Sequence, residues 1–280
     1  MKAAPFDFRK ADSLSAAFGA YAEADGEAKY LAGGQSLGPM LNLRFSQPDR
    51  LIDISAMAEL RGVQETDTEV ILGAAIRHAE IEDGLVPDAS AGFMARVARN
   101  IAYRAVRNRG TVGGSLAHAD PVADWPNVLT ALGGRVVLAG PDGTRELALE
   151  EFFLGPLTPA MQAEEILTAV RIPRLGPDVR PGIGKFCRKV GELAHCLSVV
   201  LHKTGGGSRA VMGCIAGTPI LLPMVGEWLD RLKPKTAEPA PDELSAALSD
   251  DLARAGVTAD ALELRMHRAT LMRAVRESLS

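Results

Sequence analysis

Two short segments of this 280-residue chain carry adjacent glycines next to hydroxyl side chains. The first is AGGQSL, residues 32–37, directly after KYL, and the second is TVGGSL, residues 111–116. Because glycine has no Cβ, successive backbone N–H groups in such loops can turn towards one ligand and approach it closely. A concave row of N–H groups attracts anions, and Ser36, Thr111 and Ser115 can add hydroxyl donors. Two such loops in one domain predict a diphosphate site.

Glycine pairs also have an ordinary interpretation, because Gly-Gly after a strand commonly forms a tight turn. Gly133-Gly134 is interpreted as such a turn. Neither glycine loop matches the familiar nucleotide motifs. No Gly-x-Gly-x-x-Gly opens a helix after a strand, and no Gly-Lys-Ser/Thr follows a glycine loop. These absences from the sequence argue against a Rossmann domain and against a P-loop.

Other polar residues do not form a recognisable catalytic set. Asp120 and Asp124 are four residues apart, but Pro121 between them argues against a carboxylate pair on one helix. Glu263 and His267 are also four apart, and we interpret them as a helix pair rather than a metal site. The sequence therefore predicts no catalytic residue and no metal ligand in this chain.

Composition restricts the class of protein. The chain is 47% hydrophobic and 24% charged, with a formal net charge of −4. This length predicts about two domains, and mild acidity argues against a nucleic-acid or anionic-membrane partner. The basic residues are dispersed apart from Arg104, Arg107 and Arg109, which we interpret as a solvated face. The alternative is that this cluster assists phosphate binding.

Targeting signals and cysteines indicate a compartment. The N-terminal sequence MKAAPFDFRK places charges where a signal peptide needs an apolar run, and no apolar run approaches the roughly 20 residues of a membrane span. Cys187, Cys196 and Cys214 are too few and too widely spaced for a disulfide framework or a four-cysteine cluster. We expect a soluble, reduced, cytoplasmic protein without an iron–sulfur cluster of its own.

Short β-type runs alternate with helical patterns in the first part of the chain. Strands are predicted at 51–54, 70–72, 136–138 and 166–172. Apolar residues recur every four positions through 93–105, which predicts one amphipathic helix. The Pro- and Gly-rich stretch RLGPDVRP at 174–181 is interpreted as the domain boundary.

Beyond that boundary the pattern predicts a small sheet and C-terminal helices. Three strands are predicted at 184–189, 196–202 and 210–215, with a hairpin loop at 205–207. The stretch KPKTAEPAP at 233–241 is interpreted as a linker. The remainder is predicted to be helical.

At the glycine loops the sequence resembles a known family. Residues 32–55, AGGQSLGPMLNLRFSQPDRLIDIS, closely resemble the first FAD loop of the flavoprotein (medium) subunits of molybdenum hydroxylases, the family of xanthine dehydrogenase and aerobic carbon monoxide dehydrogenase. Residues 107–126, RNRGTVGGSLAHADPVADWP, resemble their second FAD loop. EEILTAVRIP and KFCRKVGELA follow in the family's order. In that last segment relatives often have Gly-Asp followed by an aromatic or aliphatic residue, whereas this chain has Gly191-Glu192-Leu193, and Leu193 cannot stack on the flavin as an aromatic would.

The resemblance implies an α+β fold. An FAD-binding domain of the vanillyl-alcohol-oxidase (PCMH-like) type is expected at 1–176, with halves at about 1–55 and 56–176. A small domain like that of the carbon monoxide dehydrogenase flavoprotein is expected at 177–280, with a three-stranded antiparallel sheet plus helices.

It also implies non-covalently bound FAD and a set of contacts to it. The expected cofactor-binding residues are Leu31, Ala32, Gly33, Gly34, Gln35, Ser36, Leu37, Ile101, Thr111, Val112, Gly113, Gly114, Ser115, Asp124, Leu167 and Lys185. The two glycine loops would hold the pyrophosphate. Asp124 would bond the sugar, and Lys185 would approach the isoalloxazine. Ile101 and Leu167 would supply backbone or apolar contacts.

The function implied is that of an electron-transferring subunit of an oxidoreductase. A large partner subunit would carry the molybdopterin cofactor and oxidise or hydroxylate a small molecule such as carbon monoxide, an N-heterocycle or an aldehyde. A small partner would carry 2Fe–2S clusters, and FAD would pass their electrons to an external acceptor. The expected assembly is a heterotrimer or a dimer of heterotrimers.

Two alternatives remain open on sequence alone. A self-contained FAD-dependent oxidase or reductase of the same fold would need its own substrate pocket. Many such enzymes attach FAD through a histidine in the first loop, whereas the first histidine here is His78. The other alternative is a structural subunit that has lost its cofactor, and the intact glycine loops argue against it.

Overall fold

The computed structural model of the chain describes residues 2–232 and 239–280, so the linker expected at 233–241 lies largely outside the described residues. The described strands are β1 (Asp7–Lys10), β2 (Ala28–Leu31), β3 (Arg50–Asp53), β4 (Val63–Glu65), β5 (Glu69–Gly73), β6 (Arg135–Gly140), β7 (Gly143–Ala148), β8 (Phe153–Gly155), β9 (Thr158–Pro159), β10 (Ile166–Pro173), β11 (Val179–Phe186), β12 (Cys196–Lys203), β13 (Arg209–Gly213) and β14 (Ile220–Leu221). The helices are α1 (Leu14–Ala22), α2 (Leu37–Asn42), α3 (His78–Glu82), α4 (Phe93–Arg99), α5 (Arg104–Arg107), α6 (Val112–His118), α7 (Asp124–Ala131), α8 (Leu149–Phe152), α9 (Pro223–Leu229), α10 (Pro241–Arg254) and α11 (Ala261–Leu279), with a 3-10 turn at Ala58–Leu60.

These elements form two compact units, each with mixed helix and sheet. The first unit comprises Met1–His118, Arg135–Phe152 and Pro159–Pro173. The second comprises Ala119–Gly134, Phe153–Thr158 and Arg174–Ser280. The α+β class expected from the sequence is thus confirmed.

The first unit begins with a small parallel sheet in the order β1-β3-β2. Its central strand β3 carries two consecutive buried residues, Leu51 and Ile52, as expected for a strand covered on both faces. Ile52 packs in a core with Ala17 of α1 and with Met57 and Leu60 beyond the strand. The carboxyl end of β2 leads directly into the first glycine loop, so this core determines where that loop starts.

A five-stranded antiparallel sheet in the order β4-β5-β10-β6-β7 forms the rest of the first unit's framework. The central strand β10 contains an irregularity between Leu167 and Ala169 in its pairing with β6. Thr168 lies at this point, where its hydroxyl donates to the carbonyl of Val137 at 3.1 Å. Its carbonyl accepts from the N–H of Ala74 at 2.9 Å. The carbonyl of Ala74 accepts in turn from the N–H of Gly113 at 2.9 Å, so this irregular part of β10 is linked to the second glycine loop.

The single helix expected over 93–105 is wrong, because α4 ends at Arg99 and a separate α5 begins at Arg104. Between them Ala102 has a left-handed backbone with φ of +44°, which a continuous helix does not allow. The carbonyls of Ile101 and Ala102 accept instead from the guanidinium of Arg107 at 2.9 and 3.1 Å. The four-residue apolar spacing runs across this turn, so periodicity alone did not detect it.

The second unit contains an antiparallel sheet in the order β11-β12-β13-β14. The sheet has four strands rather than the three expected, because the two-residue β14 is too short to produce a periodic pattern. The predicted hairpin loop at 205–207 is confirmed between β12 and β13. All three of its glycines have positive φ, namely +93°, +109° and +87°.

The first strand of that sheet begins inside the stretch 174–181, which the sequence analysis interpreted as the domain boundary. Strand β11 starts at Val179 and includes Pro181, which has no N–H to donate. An edge strand tolerates proline because one side of the strand is unpaired. A Cβ on Gly182 would overlap the carbonyl oxygen of Ala274, and one on Gly184 would overlap that of Thr270. The glycines therefore allow α11 to pack directly against the backbone of β11.

The C-terminal helices enclose the second core. Trp228 of α9, Leu248 of α10 and Leu271 of α11 are buried together with β12 and β13 side chains. The carboxylate of Asp251 accepts from the N–H groups of Met224 and Val225 at 2.9 and 3.0 Å, and so caps α9 from α10. Among the described helices, none is both long and apolar enough to cross a membrane.

We predict that Asp251→Ala lowers the free energy of unfolding by about 1–3 kcal/mol, because it leaves two N–H groups of α9 without an acceptor. Asp251 is 2% exposed. The neighbouring Asp250 on α10 is exposed, and its alanine variant should change stability by no more than about 0.5 kcal/mol. Urea unfolding of both variants measures the difference. Equal effects at the two positions would show that the cap contributes nothing.

Candidate functional site

The first glycine loop presents a row of backbone donors. Within the described structure, none of the N–H groups of residues 32–37 donates to a protein acceptor. Gly34 has φ of +70°, a conformation that favours glycine. The loop is bounded by β2 and α2, and its backbone is partly exposed. Consecutive N–H groups without protein partners are what an anionic ligand requires.

The second glycine loop is different, because it is already the first turn of α6. Its N–H groups have protein acceptors, in the pairs Val112 to the Ile76 carbonyl (2.9 Å), Gly113 to the Ala74 carbonyl (2.9 Å), Gly114 to Thr111 Oγ1 (3.0 Å) and Ser115 to the Thr111 carbonyl (3.0 Å). Residues 112–115 therefore do not form a second row of free N–H groups. The threonine caps the helix with its own side chain and removes one donor that a ligand would otherwise use.

The structure brings the two glycine segments into contact. A Cβ on Gly33 would overlap the carbonyl oxygen of Arg109 and lie 2.8 Å from Cα of Gly110. The Cβ position of Gly114 is 3.9 Å from Cβ of Ala32. Only glycine at position 33 permits this approach, so the row of free donors lies directly beside the start of α6.

The start of α6 is itself held by the sheet. A Cβ on Gly113 would lie 2.8 Å from Cα and from the carbonyl oxygen of Ala74, so the helix packs against backbone there. Ala74 in turn bonds Thr168 of β10, the strand that contains the buried Leu167. Hydrogen bonds thus connect the central strand to the second glycine segment.

The arginine cluster is not uniformly a solvated face, because Arg107 is buried whereas Arg104 and Arg109 are exposed. Arg107 is 8% exposed and donates through Nε and Nη2 to the two carboxylate oxygens of Glu82 at 2.6 and 3.1 Å. Arg104 donates to Glu82 at 2.8 Å and to Asp83 at 2.7 Å. The hydrogen bond from Arg107 holds the pKa of the Glu82 carboxyl below its usual range. Sequence reasoning missed the two acidic partners, because they precede the arginines by more than 20 positions.

His78 is a second buried polar residue of this region that sequence reasoning did not assign. Its backbone N–H donates to the carbonyl of Gly110 at 3.0 Å. A Cβ on Gly110 would lie 2.8 Å from Nε2 of its ring. Burial lowers the pKa of His78 to about 4, and the charge of Arg107 adds to the effect. The imidazole is therefore neutral at pH 7 and acts as a packing surface under the second glycine segment.

The other two expected contacts, Asp124 and Lys185, belong to the second unit and pair with each other. Lys185 Nζ lies 2.9 Å from both carboxylate oxygens of Asp124. The side chains are 14% and 6% exposed, respectively. Burial raises the pKa of Asp124, and the neighbouring ammonium of Lys185 opposes that rise. Helix α7, which begins at Asp124 and packs on β12 and β13, positions the carboxylate beside β11.

A cavity of about 460 Å³ lies elsewhere in the second unit. Its lining residues are Val122, Ala194, His195, Cys214, Asp260, Leu262, Glu263 and Met266. Burial raises the pKa of the Cys214 thiol to about 12, so this thiol is protonated at neutral pH. Leu193, next to two of the lining residues, is exposed. Volumes of this size accommodate small ligands.

The family model described as the FAD-binding domain in molybdopterin dehydrogenase matches residues 4–175, and the chain belongs to that family. FAD is accordingly its cofactor, and the chain is the FAD-containing component of a molybdenum-dependent dehydrogenase.

Particular relatives agree with this assignment. The chain is 35% identical to the carbon monoxide dehydrogenase medium chain of Hydrogenophaga pseudoflava over 71% of its own length and 70% of the relative's. It is 33% identical to the caffeine dehydrogenase subunit beta of Pseudomonas sp. (strain CBB1), over 82% of its length and 79% of the relative's. A solved structure of the Hydrogenophaga pseudoflava carbon monoxide dehydrogenase superposes with a TM-score of 0.88 at 30% identity, covering 99% of this chain and 98% of that one.

We predict that Gly33→Ala raises the Kd for FAD at least about tenfold, a free-energy change of at least about 1.4 kcal/mol, and so lowers the FAD content of the purified protein. The added methyl group forces the first loop away from the Arg109 carbonyl and displaces the row of donors. Absorbance of released flavin per chain measures the effect. Gly19→Ala is the control, because its Cβ position in α1 is open. Full flavin content in Gly33→Ala would show that the contact of Gly33 with the Arg109 carbonyl does not determine the geometry of the FAD site.

We further predict that Lys185→Met destabilises the apoprotein by about 3–5 kcal/mol at pH 7, because it leaves a buried carboxylate unpaired. In this variant, burial holds the pKa of Asp124 in the folded state above its value in the unfolded chain. The variant therefore keeps its stability at pH values below the unfolded-state pKa and loses it as the pH rises through the folded-state pKa. Part of the loss should therefore be recovered at pH 5. Denaturant unfolding at both pH values tests this.

The matched control is the double variant Asp124→Asn, Lys185→Met. The double variant carries no buried charge at this position. The difference in its free energy of unfolding from that of the original protein should therefore be the same at pH 7 and at pH 5. A loss in Lys185→Met that is the same at both pH values would contradict the prediction.

Proposed function

We propose that the chain binds one FAD non-covalently, with the diphosphate against residues 32–37. The observation that carries the proposal is the row of N–H groups in this loop that have no protein acceptor. In the free protein these groups are partly exposed, so water can satisfy them. A diphosphate would replace that water with charge-assisted hydrogen bonds, which are stronger than neutral ones.

The remaining contacts follow from the same proposal. Residues 111–115 form a wall beside the first loop rather than a second row of donors, and Leu31 sits at the carboxyl end of β2. Ile101 and Leu167 supply backbone or apolar contacts. Asp124 bonds the sugar through oxygen lone pairs that Lys185 does not use. Lys185 would approach the isoalloxazine, where its charge would stabilise a negative ring.

We assign the finer fold description on the same basis. The FAD-binding domain, of the vanillyl-alcohol-oxidase (PCMH-like) type, occupies 1–176 with halves at about 1–55 and 56–176. The C-terminal domain at 177–280 is of the carbon monoxide dehydrogenase flavoprotein type. The family match over residues 4–175 and the solved-structure match over 99% of the chain support this division.

The chain acts within a larger oxidoreductase. When bound, FAD takes electrons from 2Fe–2S clusters of a small partner subunit and passes them to an external acceptor. A large partner subunit with the molybdopterin cofactor oxidises a small molecule. The relatives' names, with carbon monoxide and caffeine as their substrates, support this class.

We propose a heterotrimer or a dimer of heterotrimers. A cytoplasmic location is supported by the free thiols of Cys187, Cys196 and Cys214.

A self-contained flavoenzyme is the second candidate, and the cavity of about 460 Å³ in the second unit is the observation that favours it. Such an enzyme would bind and oxidise its substrate without partner subunits. Family membership favours the subunit.

One experiment distinguishes the two candidates. We predict that the chain expressed alone binds one FAD, which acid precipitation releases into solution. Alone it should not oxidise the substrate of its native complex, whereas adding the molybdopterin and iron–sulfur subunits should restore turnover. Turnover at the native rate without molybdenum and iron would establish the self-contained enzyme. Release of FMN, or flavin that stays on the polypeptide, would contradict the proposed cofactor site.

A further inference from the structure

Arg107 makes an unusual set of contacts for a residue of a four-residue helix. Its guanidinium is buried and forms a two-bond pair with Glu82, at 2.6 and 3.1 Å. Nη1 also donates to the carbonyls of Ile101 and Ala102, at 2.9 and 3.1 Å. One side chain thus joins α3, α5 and the turn between α4 and α5. A buried guanidinium needs this degree of pairing, because an unpaired buried charge is strongly unfavourable.

The turn that Arg107 holds is conformationally strained. Ala102 has φ of +44°, and a left-handed backbone costs a residue with a Cβ about 1–2 kcal/mol. The two hydrogen bonds from the guanidinium are charge-assisted and offset that cost. Without these two hydrogen bonds the carbonyls of Ile101 and Ala102 would lack a donor and would not be stable in the interior. The conformation of the turn therefore depends on Arg107.

The same arginine also determines where the second glycine segment begins. Gly110 donates to the carbonyl of Val106 in α5 at 2.7 Å. The carbonyl of Arg109, two residues after Arg107, is the atom against which Gly33 packs. A rotation of α5 would move that carbonyl and with it the first loop. Arg107 is thus connected to the turn at Ile101 and to the loop with the free N–H groups.

We propose that Arg107 is a positioning residue for the FAD site, which holds the Ile101 turn and the Arg109–Gly110 peptide in the geometry that the cofactor requires. It acts through these backbone segments and not by touching FAD. The inference rests on the proposed function, since it takes Ile101 and residues 32–37 as parts of the cofactor site.

Arg104 provides a matched comparison. It lies on the same helix and pairs with the same Glu82, at 2.8 Å, and with Asp83. Its side chain is 47% exposed, however, and within the described residues no hydrogen bond joins it to a backbone carbonyl of the turn. If the ion pairs with Glu82 matter only for general stability, removing either arginine should have similar consequences. If positioning matters, the two variants should differ in their flavin properties.

The test uses the full chain, stripped of flavin and titrated with FAD. We expect Arg107→Met to raise the Kd for FAD at least tenfold and to change the visible circular dichroism of the bound flavin. Arg107→Lys should give an intermediate Kd, because one ammonium keeps the charge but cannot span the carboxylate and both carbonyls. Arg104→Met should keep the Kd within twofold and the spectrum unchanged. Thermal unfolding of each apoprotein separates these effects from stability.

Several outcomes would overturn the inference. One is that Arg107→Met has the same Kd for FAD and the same circular dichroism as the original protein. Another is that Arg104→Met raises the Kd for FAD as much as Arg107→Met does. If Arg107→Met does not fold, Arg107→Lys decides. A Kd raised at least threefold with an altered spectrum supports positioning, and an original Kd refutes it. Failure of the proposed function is seen separately, because the original chain would then fail to bind FAD before any variant is compared.

Discussion

The close approach of Gly33 to the Arg109 carbonyl is the constraint on which the first unit's site depends. A Cβ at position 33 would overlap that oxygen, so the first loop can lie beside the second segment only with glycine there. A series of hydrogen bonds and contacts from the central sheet determines the position of the first loop. Strand β10 bonds Ala74, Ala74 bonds the start of α6, and the segment leading into α6 supports the first loop.

The two glycine segments perform different physical tasks although their sequences look alike. The N–H groups of the second segment are largely buried and must find partners inside the protein, which Thr111, Ala74 and Ile76 provide. Those of the first are partly exposed, so they can exchange water for a ligand. The second segment is therefore held by hydrogen bonds within the protein, and the first segment has N–H groups that can bind an anion.

Each unit contains a buried pair or small network of opposite charges. In the first, Glu82 joins Arg104 and Arg107. In the second, Asp124 and Lys185 enclose each other. Such pairs contribute little net stability compared with apolar packing, but breaking one is expensive, because the remaining charge stays buried. Their value lies in orienting the backbone segments and side chains around them.

The sequence by itself determined the family, the α+β class and the position of both glycine loops, because these depend on local residue types and on spacing along the chain. It also placed seven of the fourteen described strands, because a strand in the interior carries its own run of apolar residues. Only the tertiary structure decided which loop keeps free donors, where α4 ends, and that β11 starts inside the stretch interpreted as the domain boundary. It also supplied the acidic partners of Arg104 and Arg107. Most of these depend on a hydrogen-bond or packing partner distant in sequence, such as Glu82 beside Arg107 or α11 against Gly184, and local pattern carries no record of that partner. The end of α4 involves a nearer partner, the Arg107 guanidinium at the Ala102 carbonyl, but periodicity of apolar residues does not record a side-chain hydrogen bond.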